Sequence, residues 1–188
     1  AQDVVEWITL DAMELAERPP ANRLNLANGV LNLEKRILEP HNPDLLTTIQ
    51  LPVVYDPRAT CPAIEKAVAR WFPDDAHDLA WELPAWLMAA DTSIQKAVLL
   101  YGAGGNGKST FLAVLQAFLG RNNTTSKSLH KLENDRFSTA QLVGKLANIC
   151  PDLPTQHLAE TSIFKSITGG DPLSAEYKHK DSFDFTPF

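Results

Sequence analysis

The chain has 188 residues, of which 44% are hydrophobic and 21% charged, with a net charge of −6; this is the composition of an ordinary globular protein with enough chain for a buried core in one large domain or two small ones. No apolar run approaches the roughly 20 residues of a membrane-spanning helix, and nothing at the start reads as a signal peptide. Cys61 and Cys150 lie too far apart for a CxxC motif and the five histidines are scattered, which argues against a disulfide framework or a zinc site and for a reducing compartment.

Charge is unevenly spread. Eight Lys/Arg face fifteen Asp/Glu through residue 100, whereas nine face eight beyond it. Bulk charge therefore cannot hold nucleic acid; a few placed residues would have to do so. The missing initiator Met and the alternating end "SFDFTPF" suggest a piece of a longer protein.

In chain order, "VVEWITLDAMELAERPP" predicts a short amphipathic helix ended by Pro19 and Pro20. "RLNLANGVLNL" predicts a β-hairpin, with Asn28-Gly29 supplying the positive φ angles of a type I′ turn. "LLTTIQLPVVYDPRATCP" reads as a strand followed by a linker. "PAIEKAVARWF" predicts a helix with Pro62 in its first turn, and "DDAHDLAWELPAWLMAA" a second that Pro84 should kink or break. Trp71, Trp81 and Trp86 fit helix packing. From residue 97 the pattern turns α/β: a buried strand "AVLLY", a helix "STFLAVLQAFLG" closed by Gly120, a polar loop "RNNTTSKSLHKLENDRF", a helix "STAQLVG", a strand "KLANIC", and a helix "HLAETSIFKSITGG". A domain boundary is expected near residue 91. It would separate a small, mainly helical α+β domain (1–90) from an α/β domain (91–188).

Between "AVLLY" and its helix, Gly102, Ala103, Gly104, Gly105, Asn106, Gly107, Lys108 and Ser109 match G-x-x-x-x-G-K-[ST] in full, in the strand–loop–helix setting the motif requires. Glycines let successive backbone N–H groups converge on an anion, and the following helix adds its positive end. Lys108 then reaches the β- and γ-phosphates of ATP, the Ser109 hydroxyl ligates Mg²⁺, and Thr110 supports the α-phosphate side. Asp152, just past the strand "KLANIC", takes the Walker B position, an acid that orders the metal or the attacking water. Glu160 is the nearest further acid. Several reactions remain open at this point, among them a nucleotide or small-molecule kinase and a non-catalytic nucleotide-binding module.

"LYGAGGNGKSTFL", "LVGKLANICPDLP" and "FKSITGGDPLSAEYKHKDSFDF", in that order, resemble motifs A, B and B′ of the superfamily 3 helicases, above all the phage and plasmid primase–helicase branch. The segment "NLANGVLNLEKRILEPHNPDLLTTIQLPVVYDP" and the helical region to about Ala90 resemble what precedes the ATPase there. The resemblance implies an AAA+-like P-loop ATPase core that forms a ring, usually a hexamer, and moves on single-stranded DNA in the cytoplasm of a bacterial host. A primase or initiator protein would be a further partner. Carried onto the B′ block, it makes Lys165, Thr168, Gly169, Gly170, Asp171, Lys178 and Lys180 candidate DNA contacts. Two glycines permit a sharp turn, and lysines on a loop neutralise phosphates without reading bases. The family's motif C and its intersubunit arginine should follow Phe188. Residues 1–188 alone are therefore expected to hydrolyse ATP slowly or not at all.

Overall fold

The computed structural model describes residues 18–45, 47–152 and 161–188. The expected first helix falls almost wholly outside these residues, as does Glu160. Among the described residues there are helices and three small sheets: β1–β2–β3, β4–β5 and β6–β7.

The hairpin forms as β1 (Arg23–Leu26) and β2 (Gly29–Asn32), with Leu24 opposite Leu31 and Leu26 opposite Gly29. Its turn sits one position earlier than expected. Ala27 and Asn28 are the loop residues, neither has positive φ, and Gly29 (φ 148°) already belongs to the strand. A Cβ on Gly29 would run into the carbonyl oxygen of Glu39, so glycine is required by close approach of β3 (Ile37–Glu39) rather than by a type I′ turn. The expected strand after it reduces to one parallel bridge, Leu51 beside Leu26.

Helix α1 (Pro62–Trp71) starts with Pro62 in its first turn, as expected. Of the kink or break expected at Pro84, the break does not occur: helix α2 (His77–Met88) continues through it. Buried Ala80 and Leu83 anchor the turn before the proline, and such packing outweighs the lost backbone hydrogen bond. Helix α3 (Lys108–Leu119) ends at Gly120 with φ 90°. It buries Phe111, Leu115 and Leu119, a stripe at i, i+4 and i+8, each worth roughly 1.5–3 kcal/mol of transfer free energy.

The expected polar loop is structured. It holds a short 3₁₀ turn (Arg121–Asn123), strand β4 (Thr124–Thr125) and helix α4 (Leu129–Asn134), capped by the Ser128 side chain. Helix α5 (Arg136–Thr139) follows under an Asp135 cap and runs into a 3₁₀ turn at Ala140–Leu142. Strand β5 (Ala147–Asn148) pairs in parallel with β4. The Asn148 side chain prolongs that pairing by accepting from Lys127 N–H at 2.7 Å and donating to Lys127 O at 2.9 Å. Helix α6 (Ser162–Gly169) leads into the hairpin β6 (Leu173–Glu176) and β7 (Ser182–Phe185).

Residues 97–101 depart furthest from expectation. They pair with no described strand, and Val98, Leu99 and Tyr101 are exposed, Tyr101 at 96%. A parallel strand exists only through its neighbours' hydrogen bonds, and none reaches this segment. Only Leu100 packs on the core.

One hydrophobic cluster draws on segments from β1 to β5. Leu24, Leu26, Ile49, Leu51 and Leu83 join Phe111, Leu115, Leu119, Leu146 and Ile149 in a single cluster. It therefore spans the position near residue 91 where a boundary was expected. Asn123, 4% exposed, ties the two halves further. Its amide donates at 2.8 Å both to Gln50 O and to Leu119 O, the second of these a free carbonyl at the end of α3.

Candidate functional site

The glycine loop leaves Leu100 and reaches α3 through two residues in the left-handed region, Gly105 (φ 75°) and Gly107 (φ 91°). Gly107 is the residue preceding the first helical turn, and no side chain caps it. The N–H groups that open α3 are thus left facing the loop, where the helix dipole is positive. Gly104 to Thr110, together with Arg70 and Trp71, line a cleft of ≈ 480 Å³. A concave run of backbone donors at a helix start suits an anion.

Lys108 is the first residue of α3, and its ammonium folds back over the loop. It donates to Gly102 O at 2.8 Å, Ala103 O at 2.9 Å and Asn106 Oδ1 at 2.8 Å. Those three bonds use all three ammonium protons. An anion in the cleft would have to draw the lysine away from part of this set. Ser109 and Thr110 are exposed and line the same cleft.

The other expected residues lie elsewhere. Asp152 is exposed and does not line the cleft; its backbone oxygen accepts from the Cys150 thiol at 3.1 Å. No group of three metal-ligating side chains forms among the described residues.

The B′ residues divide between two places. Lys165 is exposed on α6, and the Thr168 hydroxyl donates back to Phe164 O (3.0 Å) and Lys165 O (3.2 Å) in its own helix. Gly169 ends α6, Gly170 caps it with φ 74°, and Asp171 N–H bonds Ser166 O at 3.0 Å. A Cβ on Gly170 would overlap Thr92, so that turn packs tightly on the segment before the loop. Lys178 and Lys180 stand exposed on the turn joining β6 to β7.

Sequence reasoning passes over His179, which sits between the two lysines with φ 65°, and Tyr177. Tyr177 is 44% exposed and stacked on Phe183 at 5.0 Å, with Lys180 over its ring at 5.9 Å. A hairpin tip carrying two lysines, a histidine and an aromatic ring can meet both phosphate and base. The turn is held from below by buried Leu173 and Ala175 and by Arg136, whose Nε lies 2.8 Å from Glu176 Oε2. It also misses Arg70 and Trp71 as cleft residues. "ARWFP" carries no signal for that role beyond an arginine and a tryptophan at a helix end.

Two family models match the chain. Residues 100–188, which hold the glycine loop, α3 and the β6–β7 hairpin, match a family of unknown function (DUF5906). No described helix is long and apolar enough to cross a membrane. Residues 2–73, from the N-terminal segment through the sheet β1–β3 to α1, match the "D5 N terminal like" family, the N-terminal part of phage and plasmid primase–helicase proteins, so the chain is similar to DNA-replication proteins of that type.

Proposed function

We propose that this chain is the P-loop, AAA+-like ATPase core of a superfamily 3 helicase, a motor that couples ATP hydrolysis to movement along single-stranded DNA. The observation that carries the reading is the glycine loop. Two left-handed glycines, an uncapped helix start and a lysine folded over the mouth surround one cleft. Backbone N–H groups of the loop take the β-phosphate, and Lys108 exchanges loop carbonyls for β- and γ-phosphate oxygens. The exposed Ser109 hydroxyl would supply an oxygen to Mg²⁺, which neutralises charge developing on the phosphates. Asp152 would share that ion only by approaching the cleft. The Lys178–Lys180 hairpin supplies the DNA contact, and ring assembly, as a hexamer, completes each ATP site from a neighbour.

Mg-ATP binding by calorimetry, paired with ATP turnover with and without single-stranded DNA, tests the reading on the intact parent protein, as wild type and as Lys108→Ala. A charged hydrogen-bond donor removed from a phosphate site weakens binding by about 10- to 100-fold, and DNA-stimulated turnover disappears with it. Turnover that depends on a small-molecule acceptor and ignores DNA would identify a kinase instead. Equal ATP binding by the two proteins would remove the site.

A further inference from the structure

One wall of the phosphate cleft comes from far away in the chain. Arg70 and Trp71 are the last two residues of α1, inside the segment that matches the D5 N-terminal-like model, yet they line the cleft beside Gly104–Thr110. The Trp71 indole occupies the space where a Cβ on Gly107 would stand. Its ring also meets Phe111, on the first turn of α3, edge-on, with centroids 6.3 Å apart and planes at 66°. Phe72 adds a second edge contact to the same Phe111 ring at 4.9 Å and 76°. Edge-to-face aromatic pairs of this kind resist sliding as well as separation. The end of α1 is therefore fastened to the start of α3, which keeps the base of the Arg70 side chain beside the cleft.

Arg70 is exposed, and among the described residues it has no ion pair or side-chain hydrogen bond. A lone arginine in the last turn of a helix has an ordinary reason to be there, the negative end of the helix dipole. That reason does not account for its place on the wall of a phosphate cleft. Lys108 is differently engaged. All three of its protons are already donated to the loop, whereas the Arg70 guanidinium offers five N–H donors in a planar fork suited to phosphate.

We propose that Arg70, held in place by Trp71, is a polyphosphate-binding residue of this site: it meets the incoming phosphate chain first, while Lys108 still bonds its own loop. The inference rests on the nucleotide reading and adds to it that the site is shared. The N-terminal segment supplies a cation, and α1 is positioned to register whether phosphate is bound.

The test titrates Mg-ATP, and separately inorganic tripolyphosphate, into the chain by calorimetry, with Lys108→Ala as reference. Arg70→Ala is expected to weaken both ligands about 10-fold, Arg70→Lys to recover part of the affinity, and the melting temperature of the free protein to stay unchanged. Trp71→Ala removes the ring that holds Arg70 beside the cleft and is expected to weaken both ligands, by no more than Arg70→Ala does. It should also lose the change in tryptophan fluorescence that ATP produces in wild type. Unaltered affinity in Arg70→Ala, where Lys108→Ala binds poorly, overturns the inference and leaves the nucleotide site standing. A loss confined to ATP, with tripolyphosphate binding normally, also overturns it, because Arg70 would then act on base or sugar. Failure of wild type to bind either ligand removes both readings.

Discussion

At Gly107 the backbone passes through φ 91° to start α3, and the Trp71 indole fills the space a side chain would need. Gly107→Ala therefore meets two separate penalties: about 1–2 kcal/mol for a left-handed alanine, and the overlap with Trp71 on top. Urea unfolding of Gly107→Ala, Trp71→Leu and the double variant separates them. Relief of the overlap makes the double variant less destabilised than the sum of the two, while the backbone penalty persists; strict additivity would mean the indole does not press on the loop. Asp135 provides a second test at this scale. Its carboxylate caps α5, accepting from the Ser138 hydroxyl at 2.7 Å and from Phe137 N–H at 3.0 Å. The Ser138 hydroxyl is the main cause of a pKa below the ordinary aspartate value; burial opposes it, and the backbone N–H groups of Phe137 and Ser138 and the charge of Lys127 add smaller help. A depressed folded-state pKa means the unfolded chain binds the proton more readily, so the cap's stabilisation is fully present above about pH 4 and fades as pH falls through the lower folded value. Asp135→Asn has no such proton to bind. Its urea midpoint should fall less steeply between about pH 4 and pH 2 than that of wild type, and parallel curves would exclude the linkage.

The secondary-structure elements show how far spacing alone reaches. Helix α1 with its N-terminal proline, α3 with its terminal glycine and the β1–β2 hairpin all follow from local pattern. The hairpin turn lies one residue earlier than the pattern predicts because Gly29 answers to the backbone of β3, which spacing does not reveal. Pro84 predicts a kink or a break because its local penalty is real, but buried neighbours keep the helix unbroken. Strand β7 is visible in the alternation of "SFDF"; β6, "LSAE", alternates in the same way, with Leu173 and Ala175 buried and Ser174 exposed, but four residues straight after a glycine pair do not by themselves mark a strand. On the motor reading, the turn between these strands meets DNA through Lys178 and Lys180. Replacing both with alanine should weaken single-stranded DNA binding at all sequences alike. It should also reduce the slope of log K against log salt by about 0.7 for each phosphate that is no longer neutralised. A slope equal to that of wild type would place the DNA elsewhere on the surface.

Among the described residues, one hydrophobic cluster joins the two charge regimes of the sequence. Leu51, 1% exposed, comes from the acidic N-terminal half and Leu119, fully buried, from α3, yet both belong to the same cluster. Leu51→Ala and Leu119→Ala should each cost about 2–5 kcal/mol. Each should also shift one unfolding transition, seen alike by circular dichroism and tryptophan fluorescence. Two transitions, with each substitution moving a different one, would show that the halves unfold separately. The glycine loop, the Pro62 start of α1, the Gly120 end of α3 and the β1–β2 hairpin are legible in the residues alone, because each depends on neighbours within a few positions. Three features are not: Arg70 and Trp71 beside the glycine loop, Asp152 away from the cleft lining, and residues 97–101 without a partner among the described strands. Each of these depends on where a distant segment comes to rest. Packing across the core sets that position, since a strand or a shared site exists only when its other half arrives.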